Sequence, residues 1–198
     1  MKMVQFVSDP GFLVGQFLLS MPGIGDPRFE RAVIAMCVHD DQGAFGLMVN
    51  RTVDTLTVRE LMQQLDIDPG QTPESAQVML GGPVEPGRGF VLHSPDYSGQ
   101  GTISVADAVG GTRWGMTSTT DVLRDIAAGN GPRHWLAALG FTGWSPGQLD
   151  SEMTRHGWHN LHGEDDLIFA LPVERRWPEG FARLGINVGH LSTTAGTA

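Results

Sequence analysis

Ala32-Val33-Ile34-Ala35-Met36-Cys37-Val38 is followed by His39-Asp40-Asp41-Gln42-Gly43, and the apolar pattern resumes over Ala44 to Val49. A continuously apolar run of this length offers no polar side to solvent, which is the pattern of a strand covered on both faces. The polar stretch between the two runs predicts a hairpin with a longer loop.

Upstream, Phe17 to Ser20 is a short apolar run ended by Pro22-Gly23, and it reads as another strand. Downstream, Val58 to Leu65 predicts a helix, with Leu61, Met62 and Leu65 on one face and a Thr57/Glu60 capping box at its start. Gln77 to Leu80 and Gly89 to His93 read as strands around the turn-rich Gly81 to Gly87. In the second half, Ser118 and Asp121 have helix-start spacing, Val122, Leu123 and Ile126 form a stripe, and Gly129-Asn130-Gly131-Pro132 ends that helix. His134 to Leu139 and Gln148 to Thr154 also read as helices, Leu167 to Leu171 as a strand closed by Pro172, and Glu179 to Leu184 as a final short helix. Strands first and helices later, with few βαβ alternations, predict an α+β fold. The expected architecture is a single domain over residues 1–198, with a large mixed, mainly antiparallel sheet flanked by helices. Residues 1–11 and 192–198 are expected to be flexible ends.

A chain of 198 residues, 40% hydrophobic and 18% charged, can bury a sizeable core without a metal or disulfide. Cys37 is the only cysteine, so no disulfide forms within the chain. The N-terminal stretch lacks the apolar core of a signal peptide, and no run approaches the ~20 residues that span a bilayer. A cytoplasmic protein without membrane association is expected. The formal net charge is −9, from 13 basic and 22 acidic side chains. Residues 1–99 carry 6 basic and 12 acidic groups and residues 100–198 carry 7 and 10, so neither half is basic. A duplex-binding face needs several clustered cations to displace condensed counterions, so direct DNA binding is not expected.

Three motifs invite a chemical reading. Gly143-Trp144-Ser145-Pro146-Gly147 matches the G-x-S-x-G nucleophile elbow, but the elbow needs a backbone N–H after the serine, and Pro146 has none. Ser145 reads instead as the N-cap of the following helix. His156, His159 and His162 recur every three residues beside Glu164, Asp165 and Asp166. That spacing puts them on different helix faces, and the stretch reads as an exposed, irregular turn with at most adventitious Zn²⁺ or Ni²⁺ binding. Cys37 and His39, two apart on a strand, are expected to share a face, with the thiol acting as a buried hydrophobe. No metal site and no cofactor is expected, and no G-x-G-x-x-G or P-loop is completed.

A less familiar group remains. Arg28 follows the Pro22-Gly23 turn, Asn50 and Arg51 follow a strand, Gly81 and Gly82 open a turn, and His93 ends a strand. Polar side chains at strand ends are where open sheets build ligand sites, so these six residues are the expected ligand-binding set. The alternative is that they bond turn backbone and one another.

The series Gly15 to Pro22, Asp26-Pro27-Arg28-Phe29-Glu30-Arg31, Gly43 to Arg51, Gly81-Gly82-Pro83-Val84, Arg88 to His93, Leu139 to Trp144 and Arg176-Trp177 resembles the YqgE/AlgH family of bacterial proteins. The resemblance covers roughly residues 12 to 192. Thr52, Ser145, His156 and Thr197 depart from the family pattern. The resemblance implies an α+β fold around a large mixed sheet and brings no assigned reaction with it. One branch is named as a transcriptional regulator of alginate synthesis. The expected function is a non-enzymatic binding or regulatory module, taking an anionic small molecule or a peptide, or a protein partner. The alternatives are a hydrolase or transferase with His93 or His39 as general base, and a transcriptional regulator.

Overall fold

A computed structural model describes residues 12–107, 111–162 and 164–191. The predicted hairpin is present as β2 (Val33–Asp40) and β3 (Gly43–Met48). His39 and Asp40 continue the strand, so only Asp41 and Gln42 turn, rather than the longer loop expected. In β2, Val33, Ala35 and Cys37 enter one apolar cluster while Ile34 and Met36 enter another, which is why the run is apolar on both sides.

Around this pair lies a ten-stranded sheet. β1 (Gln16–Ser20) pairs with β2 and with β10 (Trp158–His162), both antiparallel. On the other side β3 meets β9 (Trp135–Trp144), followed by β6 (Val84–His93), β8 (Thr112–Thr117) and β7 (Thr102–Ala106). β4 (Thr52–Thr57) pairs with β5 (Gln77–Leu80), and β5 joins β9 in the sheet's parallel contact, Met79 opposite Ala138. The sheet is thus mixed and mainly antiparallel. The expected flexible ends, residues 1–11 and 192–198, lie outside the described residues.

Helices cover both faces. α1 (Val58–Gln64) begins with the predicted capping box, and it packs with α2 (Asp121–Ala128) on Val78, Val91 and Ala137. Val58 and Met62 are its buried positions, while Leu65 is 42% exposed. α2 buries Val122, Leu123 and Ile126 and ends at Gly129, φ 77°; Thr120 rather than Ser118 precedes it. α4 (Asp166–Phe169) and α5 (Val173–Arg183) bury Leu167, Ile168, Trp177 and Phe181 against the first cluster of β2. α3 (Gln148–Thr154) places Leu149 in the second.

Three elements differ from the sequence reading. His134 to Leu139 is not a helix: His134 ends the preceding turn and Trp135 to Leu139 is the first half of β9. Leu and Ala favour helix locally, but this run sits between β5 and β6 and pairs with both. Leu167 to Leu171 is a helical turn rather than a strand. α5 starts six residues before the expected Glu179 and carries Pro178 internally, because burying Arg176, Trp177 and Phe181 outweighs the lost backbone bond.

β9 serves two strands on one edge. Thr142, Gly143 and Trp144 pair with β3, whereas Ala138 and Leu139 pair with β5. The change falls at Gly140, φ 71°, where an added Cβ would stand 2.4 Å from the Gly82 oxygen.

Candidate functional site

A cleft of about 680 Å³ lies between the turn after β1, the β5–β6 link and the α3–β10 corner. Its wall is built on Trp144, the last residue of β9, and Trp158, the first of β10, both nearly buried and with ring centroids 6.0 Å apart. Glu152 of α3 ties them. One carboxylate oxygen accepts from the Trp144 indole N–H at 3.0 Å and the Trp158 indole N–H at 2.9 Å. The other accepts from Gln148 Nε2 at 2.9 Å. Gln148 and Glu152 are one helical turn apart, so α3 presents both to the same corner. Phe29 packs edge-on against Trp158, centroids 5.8 Å apart.

Arg28, on the short 3₁₀ turn Pro27–Phe29, reaches the cleft. Its guanidinium folds back on Asp26, donating Nη2–H to the carboxylate at 2.7 Å, and Asp26 also accepts the Arg28 backbone N–H at 3.0 Å. The Arg28 hydrogen bond holds the Asp26 carboxyl below its ordinary value. Arg155 and His156 also line the cleft, and His156 has a left-handed backbone, φ 58°.

The other expected site residues divide into three. Arg51 meets Arg28 through its backbone, and Asn50 holds the chain just after it. Arg51 Nη1 donates to the Arg28 carbonyl at 2.8 Å and Nη2 donates to that of Glu30. Asn50 donates to the Arg31 carbonyl and accepts from the Val33 N–H, both at 2.7 Å. These two side chains set the position of the 27–31 segment.

Gly81 and Gly82 border the cleft at Pro83 but have a packing reason to be glycine. A Cβ on Gly81 would lie 2.3 Å from the Gly140 oxygen, where the chain crosses the β9 kink.

His93 stands elsewhere. It is fully buried, does not line the tryptophan cleft, and pairs with Trp135 on β9 and Gly115 on β8. A carbonyl only accepts, so Nδ1–H donates to Ser94 O at 2.9 Å and Nε2 accepts from the Thr117 hydroxyl at 3.0 Å. Thr117 in turn accepts from Thr102 at 2.7 Å, which stitches β6, β8 and β7 together. A Cβ at Gly115 would fall 2.1 Å from the imidazole. Burial lowers the His93 pKa.

His39 is 4% exposed, accepts the Leu13 N–H at 3.2 Å on Nδ1, and faces Asp150 at 3.7 Å. Burial is the largest influence on it and lowers its pKa. It does not share a face with Cys37. The register of β2 shifts between Met36 and Val38, and after this bulge Val38 lies opposite Phe45, on the Cys37 side, while His39 lies opposite Ala44 on the other. Cys37 is buried, and desolvation pushes its thiol up to about 12.

The stretch read as an irregular histidine turn contains β10, where His159 packs edge-on against Phe181. Strand alternation sends His159 and His162 to opposite faces. Ser145 does not cap α3: Gly147, φ 70°, is the N-cap, and the Ser145 backbone N–H donates to Gln148 Oε1.

The Glu152 clamp escaped sequence reading. Its signal was Gln148 and Glu152, spaced i and i+4, between two Gly-Trp pairs, Gly143-Trp144 and Gly157-Trp158.

A family model described as AlgH-like matches residues 17–189. A UPF0301 protein of Rhizorhabdus wittichii is 53% identical over 189 residues, covering 96% of this chain and 98% of the relative. A UPF0301 protein of Sphingopyxis alaskensis is 50% identical at the same coverage, 96% and 98%. The solution structure of the AlgH protein from Pseudomonas aeruginosa matches with a TM-score of 0.76 at 37% identity, over 100% of both chains.

Proposed function

The chain belongs to the AlgH-like family, and from that premise we propose that it is a non-enzymatic binding or regulatory module. Its ligand is an anionic small molecule or a partner's acidic peptide segment, received in the tryptophan cleft. The observation that carries this reading is the Glu152 clamp, which fixes Trp144 and Trp158 as rigid cleft walls before any ligand arrives. The volume falls within the range of about 300–1,000 Å³ usual for small-molecule sites. Arg155 supplies a cationic group, Arg28 supplies a second that it shares with Asp26, and the Glu152 carboxylate is taken up by the two indoles and Gln148. His39 and His93, the imidazoles weighed as general bases, are both packed away from the clefts. With a net charge of −9, a role in regulation would run through such a ligand or partner rather than through duplex contact.

The test is a thermal-shift and tryptophan-fluorescence screen of small carboxylates, phosphates and short acidic peptides against the full chain. At least one class should raise the melting temperature and alter tryptophan emission, and Arg28→Ala with Arg155→Ala should weaken that response. Binders whose effect is untouched by both substitutions would remove the cleft from consideration.

A further inference from the structure

A second cleft, about 480 Å³, opens between β4 and β5, the start of β9 and the α4–α5 corner, and it shares no lining residue with the tryptophan cleft. Arg176 of α5 lines it while only 8% exposed. Its Nε–H donates to the Leu171 carbonyl at 3.0 Å and Nη1 donates to the Val49 carbonyl. Nη2 makes no hydrogen bond among the described residues. No carboxylate there lies within ion-pair distance of Arg176, and Glu174 attracts it only from farther away. A guanidinium withdrawn from water without a counter-charge is costly, and desolvation lowers its pKa to about 10.

The lining holds a second arginine and an imidazole, while the nearest carboxylates, Glu174 and Asp96, stand outside it. Arg133 and His134 line the same cleft from the turn before β9, with the His134 ring stacked on Phe169 at 5.8 Å. Asp96 secures that turn by accepting the Arg133 backbone N–H at 3.0 Å. The 11-residue helix α5 starts at the cleft; Glu174 stands in its first turn, and its N-cap Pro172 supplies no side-chain acceptor to the first-turn N–H groups. No Asp or Glu lines the cleft, in a chain where acids outnumber bases 22 to 13.

We propose that this cleft is an anion site taking the carboxylate or phosphate group of a small metabolite, with Arg176 as the fixed donor and Arg133 and His134 as its rim. The site is separate from the tryptophan cleft and stands or falls without it. Buried, preset donors lose little freedom on binding, and a forked guanidinium matches two oxygens of either group.

The experiment titrates the ¹⁵N-labelled full chain with inorganic phosphate, malonate and chloride at constant ionic strength, following the indole signal of Trp135, which lines the cleft. Phosphate, malonate or both should give a saturable shift that chloride does not, and which of the two saturates identifies the group. Because Arg176 also holds two carbonyls, the rim variant Arg133→Ala/His134→Gln carries the test, and it should weaken binding by about five-fold or more. A linear drift shared with chloride, or saturation unchanged in the rim variant, overturns the proposal.

Discussion

Glu152→Ala removes the single acceptor that two nearly buried indole N–H groups share, at 3.0 and 2.9 Å. A hydrogen bond to a charged group contributes about 1.5–3 kcal/mol, and a buried donor left without a partner forfeits more than the bond itself. Glu152 is only half-buried, so water replaces part of what is lost. The combined cost works out at about 3 kcal/mol, which for a domain of this size lowers the melting temperature by roughly 6–12 °C. Glu152→Gln keeps an oxygen in place but not the charge, and a neutral bond has about half the strength, so it should cost about 1 kcal/mol. Urea unfolding followed by far-ultraviolet circular dichroism measures both, and the indole ¹H–¹⁵N signals of Trp144 and Trp158 report the bonds directly. If Glu152→Ala unfolds within about 0.5 kcal/mol of the parent, or leaves both indole signals in place, the carboxylate does not hold the wall.

Gly81→Ala forces a Cβ to within 2.3 Å of the Gly140 oxygen and should cost about 3 kcal/mol or more in urea unfolding. Gly87→Ala, with nothing within 4 Å, should stay within about 0.5 kcal/mol. The Cys37 thiol, buried and raised to about 12, should resist a disulfide reagent at about pH 8 except at the rate of unfolding. His93 and His39 both have folded-state values lowered by burial from the ordinary 6.5. The unfolded chain therefore takes up protons that the folded one refuses, so stability is full above 6.5 and declines below it until the lowered values are passed. Urea midpoints should fall from about pH 7.5 to about pH 5.5; a flat or rising trend would refute this. Asn50→Ala frees the Val33 N–H and the Arg31 carbonyl and should cost about 1–3 kcal/mol by the same unfolding assay.

The α+β class, the central hairpin and the capping box of α1 were legible because each depends on neighbours in sequence. β9 was not, since Leu136, Ala137 and Ala138 are extended only by virtue of β5 and β6 on either side. The bulge at Cys37 likewise leaves no mark in the residues, yet it decides which face His39 occupies. Of the expected site residues, Arg28 was found in a cleft, Asn50 and Arg51 behind it, and His93 in a separate buried stitch. Polar residues at strand ends mark both ligand sites and turn anchors, and only the partner atoms distinguish the two.

β9 also governs when the protein can exist as a folded unit during synthesis. Without it, β1–β2–β3, β4–β5 and β6–β8–β7 are three pieces that share no strand pairing. Each carries an open edge able to pair with any other extended chain. The ribosome delivers β9 only after all of these, at residues 135–144, so the edges that β3, β5 and β6 present to it stay bare until that point, and the outer edge of β1 waits longer, for β10. Edge-to-edge association between nascent chains is therefore expected to fall once β9 emerges, which truncations ending before and after residues 135–144 would test.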